Sequence, residues 1–330
     1  MFQFNSDKIF VSVDSGKSGS KFSWLNQDHQ IESDVFATLS REVSDSEATF
    51  SGDSNLLTTA EGKSYLVGGT GDYSLDNDHS KLGETHELCV LTSVAKVISE
   101  KLNLTDSKKT YNVVLSVNVP LEDFKNTTKA EYSKLYETGK VFKLKLNGKD
   151  ISFKIEVLEL FFESQGAIIR NQQLSQREIL VYDIGGKNDT MVLYGSNGKP
   201  VSGQNDMEYN GLLTMLKHVA DDLRKKYKTR FSIQTVEKMV LGTQGKVEGF
   251  DTIFDQHATA WVKRFKSQVM KLENVNTQLT TILFTGGGSL ALRKQLQKEF
   301  EEYKDVQFSA DGKFDNATGG LIKALNIHAK

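Results

Sequence analysis

The chain has 330 residues, 38% of them hydrophobic and 25% charged, and a formal net charge of −2. This is the make-up of a globular protein of about two domains, and it excludes the concentrated basic field that wrapping nucleic acid directly demands. One cysteine, Cys89, excludes an internal disulfide, and no apolar run approaches the ~20 residues of a membrane helix.

The start, Met1–Lys8, is polar and does not read as a signal peptide. The expectation is a cytoplasmic protein with no membrane partner. Lys8–Val13 is β-branched and ends at Asp14-Ser15-Gly16; Lys21–Leu25 then forms the second strand of a hairpin. Glu42–Asn55 reads as an acidic, serine-rich loop, Leu56–Gly68 as a hairpin, and Asp72–Ser80 as a polar surface segment. His86–Leu102 has helical spacing, and Cys89 sits in it as a buried structural thiol. Tyr111–Val119 is a buried strand and Lys129–Glu137 a helix. Val141–Leu146 and Ile151–Leu158 flank the turn Asn147-Gly148-Lys149. Phe162–Gln172 reads as a short helix.

A second half then opens like the first. Glu178–Ile184 ends at Asp183-Ile184-Gly185-Gly186, and Thr190–Tyr194 returns. Met207–Lys226 is a long amphipathic helix, Val236–Leu241 a strand, Thr252–Leu272 a helix and Thr281–Phe284 a strand. The run Thr285-Gly286-Gly287-Gly288-Ser289 leads into helix Leu290–Tyr303, strand Val306–Phe308 and helix Ala317–His328. Strands and helices alternate and a hairpin opens each half, which predicts an α/β fold with mixed sheets.

Glycine turns bring backbone N–H groups close to a ligand, and phosphate suits them. A carboxylate at the end of each strand makes sense beside phosphate when Mg²⁺ lies between, since Mg²⁺ uses one or two carboxylates plus phosphate oxygens and water. Two decoys fall away. Ser15-Gly16-Lys17-Ser18 lacks the earlier glycine of a Walker loop, because position 11 is Val. The triglycine run fits a dinucleotide pattern but has only about forty residues after it.

Five motifs in order resemble the actin, Hsp70 and sugar-kinase superfamily: Asp14–Lys21, Phe162–Ala167, Asp183–Thr190, Thr285–Ser289 and Asn316–Gly320. Length, Ser116–Leu121 and Glu163 make the chain most similar to the bacterial plasmid-segregation actins of the ParM/StbA type. The resemblance implies an actin-like (ribonuclease H-like) fold. Domain I would be 1–180 with an outer subdomain 38–85 and a returning helix 315–330; domain II would be 181–314 with an outer subdomain 225–275.

It also implies roles. Glu163 and Asp183 are the catalytic residues, Glu163 orienting the attacking water. Asp14 and Asp183 hold Mg²⁺, largely through water. Gly16, Lys17, Ser18 and Lys21 contact the phosphates, with Gly185, Gly186, Lys187 and Asn188 opposite. Gly185 and Gly186 present backbone donors. Gly286, Gly287, Gly288 and Ser289 line the adenosine pocket, and Glu208 and Gly211, at the start of the long helix, lie near the ribose. Asp189 is a candidate turn residue. The cofactors implied are Mg²⁺ and ATP/ADP, with GTP open because glycines do not read the base. The implied partners are further copies of the chain in a head-to-tail filament and a DNA-binding adaptor of the ParR type, with no direct nucleic-acid contact. The rival reading is a soluble kinase of the sugar or acetate type.

Overall fold

The computed structural model describes residues 8–44, 47, 52–69, 81–104, 106–121, 124, 128–174 and 176–329. The segment Asp72–Ser80 and the middle of the 42–55 loop lie outside the described residues. The chain divides into two compact units, one drawn from 1–71, 78–170 and 316–330, the other chiefly from 171–315.

In the first unit β1 (Lys8–Ser15), β2 (Gly19–Leu25) and β3 (Ile31–Ala37) form an antiparallel meander. Next come β4 (Ser40–Val43), β5 (Ser54–Thr58), β6 (Ser64–Gly68) and helix α1 (Glu84–Lys96), which a π-helical turn prolongs through Val97–Lys101. Then follow β7 (Thr110–Val119), α2 (Thr128–Leu135), β8 (Val141–Leu146), β9 (Lys149–Phe162) and α3 (Gln165–Arg170). The strands make one sheet in the order β3-β2-β1-β7-β9-β8-β5-β6-β4. β1, β7 and β9 run parallel. Alternation sorts their side chains: Ile9, Val11, Val13, Val113, Leu115 and Val117 join the core that includes α1, while Phe10 and Val114 face the other way.

The second unit contains β10 (Ile179–Ile184), β11 (Asp189–Tyr194), β12 (Pro200–Glu208), α4 (Leu212–Tyr227), α5 (Ile233–Val240) and α6 (Phe250–Val269). It continues through β13 (Thr281–Thr285), α7 (Gly287–Ala291), α8 (Arg293–Glu299) and β14 (Val306–Phe308). Its sheet order is β12-β11-β10-β13-β14. The meander followed by two parallel strands repeats the arrangement β3-β2-β1-β7-β9. The last helix, α9 (Asp315–His328), lays Leu321, Ala324 and Leu325 against Phe10 and Val114 of the first unit.

Three expectations are corrected, and two strands, β3 and β12, are unexpected. Val236–Leu241 is helix α5, not a strand. Ser232 caps it by accepting the Thr235 N–H at 3.0 Å, and its buried residues Val236 and Met239 stand three apart, the helical spacing. In place of one helix over 290–303 there are two short ones, α7 ending at Ala291 and α8 ending at Glu299. β9 runs through Phe162, so the helix there starts only at Gln165. β3 and β12 are strands with polar sequences at sheet edges, where one ladder side meets solvent.

The core of the second unit is aromatic. Phe265 packs at 4.6 Å from both Tyr182 and Trp261, centroid to centroid, and is fully buried. Phe265→Ala is expected to cost about 3–5 kcal/mol, read as a lower midpoint in chemical denaturation.

Candidate functional site

The first unit brings Asp14, Lys21 and Glu163 together. β1 and β2 pair Asp14 with Lys21 and Ser15 with Ser20, leaving residues 16–19 as the turn. Gly16 turns back at once, its N–H donating to the Asp14 carbonyl at 2.9 Å. A Cβ at Gly16 would lie 2.7 Å from Lys21 Nζ, so only glycine leaves that space beside the ammonium open. The turn is braced by Thr38, whose hydroxyl donates to the Gly16 carbonyl at 2.5 Å. Lys21 Nζ lies 3.8 Å from Asp14 Oδ2.

A residue that sequence reasoning missed sits at the centre. Lys81 Nζ is 3.1 Å from Asp14 Oδ1, 3.2 Å from Glu163 Oε1 and 2.8 Å from Asn118 Oδ1. All four residues are buried. Asn118 comes from β7, one residue before its end, and its Nδ2 has no partner in the protein; neither has the buried Gln165 Oε1. Glu163 follows directly on β9. The next residue, Ser164, adopts φ 73°, a left-handed conformation unusual for serine. Its N–H donates to Asn316 Oδ1 at 3.2 Å, so α9 holds the backbone beside Glu163.

α9 comes this close because two glycines allow it. A Cβ on Gly319 would sit 2.2 Å from the Gly166 carbonyl oxygen, and one on Gly320 2.3 Å from the Phe161 ring. Thus the Phe162–Ala167 and Asn316–Gly320 motifs meet, backbone against backbone.

The second unit repeats the hairpin. Asp183 pairs with Thr190 and Ile184 with Asp189, so the turn is 185–188. The Gly185 N–H is spent inside it, donating to the Asn188 carbonyl at 3.0 Å, which departs from the expectation that it serves phosphate. The carbonyls of Gly185 and Gly186 accept the N–H groups of Leu212 and Leu213, seating the start of α4 on the turn. Gly211 is required there, since a Cβ would lie 2.5 Å from the Gly186 carbonyl oxygen. Glu208 is corrected from a helix-start residue to the last residue of β12.

Asp189 is more than a turn residue. It is buried, and Arg264 of α6 reaches its Oδ2 at 3.3 Å and Glu208 Oε2 at 3.1 Å. Burial pushes the Asp189 carboxyl well above the usual range; Arg264 pulls the other way, while Asp183 and Glu208 add to the rise. Arg264 had no signal in the sequence beyond its place on a long helix.

The triglycine run joins Asp183. Gly286 has φ 81°, and a Cβ there would lie 2.4 Å from Asp183 Oδ1. Gly288 is closed against Ile184, whereas Gly287 faces open space. The Ser289 hydroxyl donates to the Gly286 carbonyl at 2.8 Å, a role internal to the turn. Thr285 donates to Asp315 Oδ2 at 2.6 Å, fixing the strand end. Lys17, Ser18, Lys187 and Asn188 are half-buried at the two turns.

Each unit therefore carries a glycine turn with a buried carboxylate behind it. Among the described residues no three acidic, histidine or cysteine side chains form a metal cage, so a Mg²⁺ here would draw most ligands from water and phosphate. In the first unit the space beside the Lys21 ammonium and the unpartnered Asn118 Nδ2 donor fit an anion such as phosphate, and in the second the space beside the Asp183 carboxylate fits a hydrated cation.

Residues 12–166 match the family model described as the N-terminal domain of actin-like proteins. The chain has the actin-like fold. The solved structures it resembles span nearly all of it. An archaeal actin homologue, Ta0583, in complex with ADP is 14% identical with a TM-score of 0.73, over 96% of this chain and 99% of the other. The Bacillus thuringiensis ParM with ATP is 14% identical with a TM-score of 0.68, over 98% and 100%. The Alp12 filament structure is 20% identical with a TM-score of 0.70, over 98% and 99%. No curated protein matches the chain in sequence. Among the described residues no helix is long and apolar enough to cross a membrane.

Burial would raise the Asp14 carboxyl, but the Lys81 and Lys21 ammoniums outweigh it and hold Asp14 below the usual carboxylate range. The folded state thus prefers the ionised form, and the stability this gives is present above about pH 4 and lost as pH falls further. Asp14→Asn is expected to shrink the fall in thermal midpoint between about pH 5 and about pH 3 relative to wild type, followed by circular dichroism.

Proposed function

We propose that this chain is a filament-forming ATPase of the plasmid-segregation actin type. It polymerises head to tail with Mg²⁺ and ATP, hydrolyses the nucleotide, and reaches DNA through an adaptor of the ParR type. The observation that carries the reading is the duplicated strand–glycine-turn–strand with a buried carboxylate, Asp14 in one unit and Asp183 in the other, on an actin-like fold. The similar structures solved with ADP, with ATP and as a filament support it.

In this reading domain I is 1–180 with 315–330 and an outer subdomain 38–85, domain II is 181–314 with an outer subdomain 225–275, and each supplies one carboxylate-bearing turn to the nucleotide. Phosphoryl transfer to water needs little covalent chemistry from the protein, so positioning and charge do most of the work. Lys21 stands at the phosphates beside Gly16. Asp14 and Asp183 would hold a Mg²⁺, largely through water, and the ion would supply charge neutralisation at the phosphates. Glu163 accepts a hydrogen bond from the attacking water and so orients it. Gly287, open where its neighbours are closed, offers the approach to the adenosine. Head-to-tail contact is heterologous and does not close, which is the geometry of a filament.

The test is to add Mg²⁺ and ATP to the pure protein and follow light scattering, sedimentation and phosphate release, with GTP in parallel. Scattering above a critical concentration followed by phosphate release is expected. A protein that stays small, releases no free phosphate and transfers the γ-phosphoryl group to an added sugar or acetate, leaving ADP, would be a kinase. Glu163→Ala and Asp183→Ala are expected to slow phosphate release on the order of 10²-fold and to lengthen the life of the polymer. Normal release by both variants would remove these roles.

A further inference from the structure

Lys81 carries a buried charge held on three sides. An ammonium has three N–H donors, and three acceptors stand around this one: Asp14 Oδ1, Glu163 Oε1 and Asn118 Oδ1. The side chain is 3% exposed. Its backbone is pinned too, because the Lys81 N–H donates to the hydroxyl of buried Tyr132 at 3.0 Å. Lys21 is unlike it, being 18% exposed and 3.8 Å from the other Asp14 oxygen. A lysine left in a buried site without partners would shed its proton; here the two carboxylates overcome burial and hold the ammonium charged.

Two carboxylates sharing one cation are placed by it. Remove the charge and Asp14 and Glu163 become buried like charges that must separate or take up a proton. Glu163 is already held from its backbone side by the left-handed Ser164 and its bond to Asn316. The ammonium fixes the other end.

We propose that Lys81 is a positioning residue of the hydrolytic centre, holding the water-orienting carboxylate Glu163 and the metal-side carboxylate Asp14 in a single ion cluster. Its consequence for hydrolysis rests on the function proposed above; the cluster itself is a property of the nucleotide-free protein. Lys81 thereby couples the metal-side carboxylate to the residue that organises the water. A substitution at position 81 acts on the chemical step and spares the affinity for diphosphate.

The experiment is a double-mutant cycle on the full chain with Lys81→Met, Glu163→Gln and the pair. In the nucleotide-free protein, Lys81→Met is expected to lower the thermal midpoint and the added Glu163→Gln to restore most of it. Single-turnover hydrolysis of Mg·ATP is expected to fall at least about tenfold in Lys81→Met, with the pair no slower than Glu163→Gln alone. The Kd for Mg·ADP, by calorimetry, is expected to change less than about threefold. Hydrolysis by Lys81→Met at the wild-type rate overturns the proposal. So do losses in the two single variants that multiply in the pair, or a midpoint that Glu163→Gln does not restore. Should Lys81→Met fail to fold, Lys81→Gln, uncharged but still a donor, carries the same arms. Wild-type protein that binds neither Mg·ADP nor Mg·ATP would end the nucleotide reading, and the midpoint cycle would still report on the ion cluster separately.

Discussion

The structure of the candidate site hangs on placing carboxylates where water is scarce. A buried, ionised Asp14 is costly unless cations compensate it, and the chain supplies two from different directions: Lys21 from the hairpin partner strand and Lys81 from the approach to α1. Around that neutralised centre the rest of the first unit is arranged. β1 and β7 run parallel and bring Asp14 and Asn118 to the same end of the sheet. β9, also parallel, delivers Glu163 to that end. The sheet's hydrophobic alternation, with one face on α1 and the other on α9, fixes which way these strands turn their polar ends. Packing thus sets the positions and electrostatics sets the charge states.

The second unit solves a related problem in another way. Its turn carbonyls are occupied by the first N–H groups of α4, so the helix start is consumed in holding the turn. Asp189, directly after the turn of that hairpin, has Arg264 in place of a lysine, and a single guanidinium serves both Asp189 and Glu208. The two hairpins are alike in backbone and unlike in the cations behind them. Chemistry that depends on a carboxylate next to an ammonium is therefore concentrated in the first unit.

Much of this was legible in the residues, and for stated reasons. The Asp-x-Gly and Gly-Gly turns follow apolar strands, so both hairpins and the triglycine turn stand where turn chemistry puts them. β3 and β12 escaped because Ile31–Ala37 and Pro200–Glu208 are polar edge strands without clear alternation. Val236–Leu241 misled because a short run with two valines and a methionine reads as a strand until Ser232 is seen as its cap. Lys81 gave no signal at all. It stands alone after a polar segment, and a lysine is ordinarily solvated. Its burial comes from residues 67 and 37 positions away in the chain, and no local pattern encodes that. Arg264 was hidden for the same reason, as was the duty of Gly185, whose N–H turns inward.

The meeting of Gly166 and Gly319 has a mechanical meaning. Where most helices touch through side chains that can rotate and absorb a small shift, α3 and α9 touch main chain to main chain, in a joint with no upholstery. Such a contact leaves no side chain to yield between the two backbones, and the peptide that carries Glu163 lies three residues from it. The stretch that presents the acidic side chain and helix α9 are in this sense one rigid joint rather than two neighbours.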